Sequence, residues 1–99
     1  MRIVWTRPAL ADVLEIKHYI AADSVRYSQI VAERLFAAVE RLEGYPLSGR
    51  VVPELSAATV REVIETPYRI VYRVGAEVLE IIAVVHSARR FPIDDLKTR

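Results

Sequence analysis

The sequence predicts an α+β domain in which a helical hairpin packs on one face of an antiparallel sheet, in the order β-α-α-β-β-β. Three observations carry this reading. A short β-branched and aromatic run opens the chain at Ile3 to Thr6, two stretches of helical periodicity follow in direct succession, and three runs of strand character fill most of the second half. Residues 1–99 form one domain, because a chain of this length has a single core and too little interior to divide.

The opening strand stops at Pro8, which favours a helix beginning. From Pro8 to Ala22, Ala9, Leu10, Val13, Leu14, Ile16 and Ile20 share one broad face at 100° per residue, with Asp12, Glu15 and His18 elsewhere. Asp23 or Ser24 can cap a second helix through its side-chain oxygen. Tyr27, Val31, Leu35, Ala38, Val39 and Leu42 form the apolar stripe of that helix, with Phe36 at its margin, and Gly44 is expected to end it in the left-handed conformation. Two helices joined so tightly form an antiparallel hairpin.

Gly44 to Ala58 is rich in turn formers and is the one long irregular stretch, a candidate contact surface. Strands are expected over Thr59 to Glu65, Tyr68 to Val74 and Val78 to His86, with a tight turn at Gly75 and Ala76. Tyr68, Ile70, Tyr72 and Val74 alternate with Arg69, Val71 and Arg73, which assigns the first set to the helix side and the second to an uncovered face. The last strand is apolar on both faces and is read as central.

Hydrophobic residues make up 53% of the chain, too many for a disordered segment and enough to leave apolar surface for a partner. Net charge is +1, so a wholly basic nucleic-acid binder is excluded and any basic patch must be local. Twelve of the 14 basic residues are arginine, the side chain suited to bidentate contact with phosphate or carboxylate. Without cysteine there is no disulfide, thiolate metal site or cysteine nucleophile, and the two histidines lack a supporting carboxylate spacing for a metal. No cofactor motif occurs: glycine-rich phosphate loops, nucleophile elbows and metalloprotease helices are all missing. No signal peptide or membrane span is recognisable, and a cytoplasmic location is the expectation.

The arginines pose the functional question. Arg69 and Arg73 belong to the open face, Arg61 joins them if the register permits, and Arg89 and Arg90 emerge where the last strand ends in His86. Converging there, they would suit an anionic or acidic partner. Alternatively, Glu62, Glu65, Glu77 and Glu80 neutralise them across strands.

Residues 59 to 92 resemble the RelE/ParE superfamily of toxins from type II toxin–antitoxin systems. The likeness is carried by Arg61-Glu62, by the Tyr68-Arg69-Ile70-Val71-Tyr72-Arg73 strand, by His86-x-Ala88-Arg89 with Pro92 beyond, and by Pro46-x-x-Gly49-Arg50 before the strands. It implies a cognate antitoxin, ParD-like or similar, in a hetero-oligomer that meets operator DNA only through the antitoxin. In the ParE-like branch it implies inhibition of DNA gyrase by binding, without enzymatic activity; in the RelE-like branch, ribosome-dependent cleavage of messenger RNA. For the nuclease, Arg69, Arg89, Arg90 and His86 are the matching candidates. The lysines that RelE-like members carry before Tyr-Arg are replaced by Arg61 and then Glu62 or Val63, and no tyrosine follows the paired arginines, which favours the ParE-like branch. As binding candidates for target or antitoxin the resemblance leaves Arg61, Arg69, Arg73, His86, Arg89 and Arg90. A structural hydrogen bond for His86 and a surface position for His18 are the simpler readings of the histidines.

Overall fold

A computed structural model describes all residues, Met1–Arg99. Strand β1 (Arg2–Trp5) leads into helix α1 (Arg7–Ala21), a short link into α2 (Val25–Glu40), and one 3₁₀ turn (Arg41–Glu43) into an irregular stretch that contains β2 (Arg50–Val51). Strands β3 (Val60–Glu65), β4 (Tyr68–Val74) and β5 (Val78–His86) follow, and α3 (Ile93–Thr98) ends the chain. The sheet order is β1-β5-β4-β3-β2. The expected antiparallel sheet is therefore mixed: β1 lies parallel to β5, with Ile3 opposite Leu79, while every other pair is antiparallel.

Side-chain caps set the helix starts. Thr6 accepts from the amide of Ala9 at 3.3 Å and its hydroxyl donates to the Ile81 carbonyl at 2.8 Å, so one residue caps α1 and ties it to β5. Ser24 caps α2 by accepting from Tyr27 at 3.0 Å. At the other end of α2 the left-handed glycine is not found. Gly44 has φ −87°, because the chain leaves the helix through the 3₁₀ turn rather than a left-handed residue. A Cβ at Gly44 would meet nothing within 4 Å, so Gly44→Ala is expected to be neutral or to raise stability by about 0.5 kcal/mol, as read by urea titration.

The main core lies between the helix pair and the sheet. It joins Ala9, Val13, Val31, Leu35 and Val39 to Tyr68, Ile70, Tyr72, Leu79 and Ile81, each fully or nearly buried. Burying a side chain of this kind stabilises the fold by about 1.5–3 kcal/mol. The α1 stripe is narrower than its periodicity suggests: Leu10 and Leu14 are exposed, as is Tyr27 on α2, because the sheet spans only the inner part of the hairpin.

The second face of the sheet is not open, which corrects the sequence reading. Val52 from the irregular stretch and Phe91 and Leu96 from the C-terminal segment pack on Val60, Val71, Ile82 and Ala83 to make a smaller core. A bulge in β5 feeds this layer. Val71 faces Ala83 but Tyr72 faces Ile81, so Ile82 is an extra residue, and β5 sends Ile82 and Ala83 consecutively to the second face. Strand β1 reaches only as far as Ile81, leaving the rest of the β5 edge to side chains. Asp12 accepts from the Val84 amide at 3.0 Å, and Arg99 donates to the Ile82 carbonyl at 3.0 Å while pairing with Asp12 at 2.7 Å. Asp12 thus serves as a strand-edge cap rather than as part of a solvated helix face.

Candidate functional site

The register separates the six candidates predicted from sequence. Arg61 lies opposite Tyr72 and so faces the helix side, not the face of Arg69 and Arg73. There its Nη1 donates to the Gly49 carbonyl at 3.0 Å, which makes it a tie for the irregular stretch. Arg73 stands opposite Glu80 in the neighbouring strand, with 3.4 Å between Nη1 and the carboxylate. His86 lies opposite Tyr68 and turns toward the helix side, its ring edge-on to the tyrosine at 5.5 Å. Arg89 and Arg90 are exposed just beyond the strand. The expected convergence of arginines on one face does not occur.

Arg69 is the most constrained of the set. Its Nε donates to Glu62 at 2.6 Å and its two Nη atoms donate to the two oxygens of Glu54 at 2.9 and 2.8 Å. Phe91 packs on the guanidinium, 4.2 Å from ring centroid to Cζ. Glu62 is fully buried and accepts a second guanidinium from Arg50 at 2.7 Å. The cluster nails the irregular stretch and the C-terminal segment to the middle of the sheet. Glu54 could not be read as a partner beforehand because it is fifteen positions from Arg69.

This geometry fixes the electrostatics. The hydrogen bonds from Arg69 hold the Glu54 carboxyl down at about 2, against 4.5 for a free one, and the same bonds push the Arg69 guanidinium further up. A carboxyl depressed on folding contributes stability that is complete above its unfolded value and fades as pH falls from about 4.5 toward 2. Glu54→Gln is accordingly expected to lower stability at pH 7 and to flatten the acid limb of the curve over that window, measured by denaturant midpoints at stepped pH.

The Pro46-x-x-Gly49-Arg50 segment has a local physical cause. A Cβ on Gly49 would stand 2.5 Å from the Glu62 carbonyl oxygen and 2.6 Å from the Tyr72 hydroxyl, and the Gly49 amide donates to that hydroxyl at 2.9 Å. Only glycine lets the backbone come this close, and the approach delivers Arg50 to Glu62 and starts β2.

On the helix side a cleft of about 800 Å³ runs between α1 and the end of β5. His18, Tyr19 and Glu15 line one wall, and His86, Arg89 and Arg90 the other. The amide of Ala88 donates to His86 Nδ1 at 3.0 Å, so the neutral ring carries its proton on Nε2. No group of three histidine, cysteine, aspartate or glutamate side chains is placed to hold a metal ion. No helix is long and apolar enough to cross a membrane.

Residues 3–91 match the family model described as the ParE toxin of the type II toxin–antitoxin system parDE. The chain belongs to the ParE toxin family. It is 40% identical over 89 residues to Toxin RelE2 of Caulobacter vibrioides, an alignment covering 89% of this chain and 97% of the relative. To the putative toxin Y4kP of Sinorhizobium fredii it is 39% identical over 93 residues, covering 92% and 93%. Among solved structures, the chromosomal ParDE toxin–antitoxin system of P. aeruginosa superposes with a TM-score of 0.73 at 24% identity, over 87% of this chain and 95% of that one. The YoeB/ParE toxin of Agrobacterium tumefaciens does so at 0.58 and 20% identity, over 87% and 98%. Both share the RelE/ParE fold of helices on a five-stranded mixed sheet.

Proposed function

We propose that this ParE-family toxin arrests growth by binding its target, DNA gyrase, rather than by cutting RNA, and that an antitoxin of the ParD type neutralises it. The state of Arg69 is the observation that carries this reading. All three donors it directs at side chains go to carboxylates, and two acidic groups offset its charge. A cation so compensated has little capacity to stabilise charge developing on a scissile phosphate. The histidine that would serve as general acid lies on the opposite side of the sheet, facing Tyr68. Cation and acid therefore do not meet on one phosphate.

A second reading is retained because one relative is named RelE2. In it the chain cleaves messenger RNA with His86, Arg89 and Arg90, which share the helix-side cleft. Expression without antitoxin separates the two. Inhibited supercoiling by purified gyrase, with intact transcripts, is the expected result; normal supercoiling alongside cleaved messages on translating ribosomes would replace the first reading with the second.

A further inference from the structure

The outer seam of the helix hairpin, on the side away from the sheet, carries apolar side chains that the fold does not use. Arg7, Leu10, Leu14 and Lys17 recur at helical spacing on α1, and Val25, Ala32, Phe36 and Glu40 do so on α2, so each helix presents a narrow stripe beside its buried face. Leu14 is 65% exposed and Val25 62%, and Leu10 and Phe36 are exposed as well. Trp5 of β1 holds Phe36 in place, ring against ring at 5.0 Å, so this anchor is fixed before any partner arrives.

Around these stripes the charges are sorted by helix. Arg7 and Lys17 flank the stripe of α1, Glu33 and Glu40 flank that of α2, and Glu15 and Arg26 stand further round their helices. The two helices run antiparallel, so Arg7 lies at the same end of the hairpin as Glu40, and Lys17 within about one turn of the level of Glu33. None of these four has an ion-pair partner within 4.0 Å in the chain. They contrast with Arg34, Arg50, Arg69 and Arg73, each of which has a carboxylate within that distance.

We infer that this seam is a self-association surface, on which a second copy of the chain packs its own hairpin to form a four-helix bundle. A two-fold axis along the hairpin sets α1 of one copy over α2 of the other. The apolar stripes then meet, and Arg7 and Lys17 of each copy face Glu40 and Glu33 of the other. The sorting of charge favours a copy over any other occupant: a surface with one basic and one acidic helix is its own complement after that rotation, whereas a partner of uniform charge would gain at one helix and lose at the other. The stripe on α1 is about 22 Å long and the hairpin roughly 20 Å wide, so each copy covers on the order of 450 Å² and the pair about 900 Å², below the size of a standard interface. The dimer is therefore weak and depends on concentration. The sheet takes no part in it, and the inference stands whichever target the chain acts on.

The test is sedimentation velocity of the purified full chain across roughly 1–300 μM, where a dimer of this size dissociates. The parent is expected to pass from monomer to dimer. Leu14→Glu is expected to raise the dissociation constant at least about a hundredfold, because a two-fold interface feels the substitution twice. Tyr45→Ala, at a still more exposed side chain but on the irregular stretch, is expected to associate like the parent. Arg7→Glu and Glu40→Arg are each expected to weaken the dimer, and an equimolar mixture of the two variants to restore it, since in the mixed pair every acidic site meets a basic one across the interface. Circular dichroism confirms that each variant is folded.

A parent that stays monomeric over this range overturns the inference, as does a dimer that Leu14→Glu leaves intact or that Tyr45→Ala disrupts to the same degree. Should Leu14→Glu fail to fold, the charge exchange decides alone: recovery in the mixture supports the two-fold arrangement, and a mixture no tighter than its components overturns it.

Discussion

Arg69→Ala is expected to destabilise the fold by about 3 kcal/mol, a loss of the size seen when one partner of a buried ion pair is removed. The substitution leaves Glu62 fully buried with Arg50 as its remaining partner and frees Glu54 from both of its hydrogen bonds. It also removes the guanidinium on which Phe91 packs, so the irregular stretch and the C-terminal segment lose their common anchor. Chemical denaturation should show a lowered midpoint, and a thermal melt a fall on the order of 10 °C or more for a domain of this size. A second variant tells stability from chemistry. Arg69→Met/Glu62→Gln removes the buried charge along with its partner and is expected to recover a good part of the stability, since replacing both members of such a pair costs far less than breaking it. If the double variant is also toxic, Arg69 acts as a fastener. A stable double variant that has lost toxicity and RNA cleavage together would instead return Arg69 to a catalytic role.

Gly49→Ala is expected to cost about 2–3 kcal/mol, by the overpacking it forces on a site with no slack. The added methyl would meet backbone oxygen at 2.5 Å and the Tyr72 hydroxyl at 2.6 Å, neither of them the end of a flexible chain. Relief requires β2 to move off β3, which stretches both the Gly49–Tyr72 hydrogen bond and the Arg50–Glu62 pair. Hydrogen exchange should show lost protection at Arg50 and Val51 before any change in the helices. The contrast with Gly44→Ala, which the surrounding space accommodates, makes the pair of variants a test of close approach rather than of helix ending.

Much of this architecture can be read from the chain, for identifiable reasons. Strand β4 begins and ends where its alternation says, because the Thr66-Pro67 pair and Gly75 bound it sharply, and β5 follows the same turn as a continuous apolar run. The helix hairpin follows from periodicity and one serine cap. Strand β2 escapes notice because two residues have no periodicity; its signal was Gly49 followed by Arg50, a close approach that ends on Glu62. The second-face core had a signal too. Val71 lies between two arginines on a strand whose other face is fully committed, and β5 is apolar on both sides, so each needed a cover that only Val52, Phe91 and Leu96 could supply. Reading β5 as merely central missed that second layer.

The candidate site was less legible. Arg69 is unmistakable in the sequence, but its two carboxylate partners depend on a loop folding back and on register, which single-strand alternation does not encode. The face of Arg61 hangs on the register between strands, which the sequence leaves open and which the pairing with Tyr72 sets. Arg89, Arg90 and His86 are consecutive or nearly so and line one cleft together; what they surround is visible only with α1 in place.

The extra residue at Ile82 determines which side of the molecule presents the histidine. Were Ile82 kept but held in regular alternation, strand parity downstream would invert: Val85 would turn toward the helices, and His86 would project from the opposite surface, on the side of Arg69. A strand of unchanged sequence can thus turn one imidazole to either surface according to whether the bulge forms, whereas deleting Ile82 itself would leave His86 opposite Tyr68.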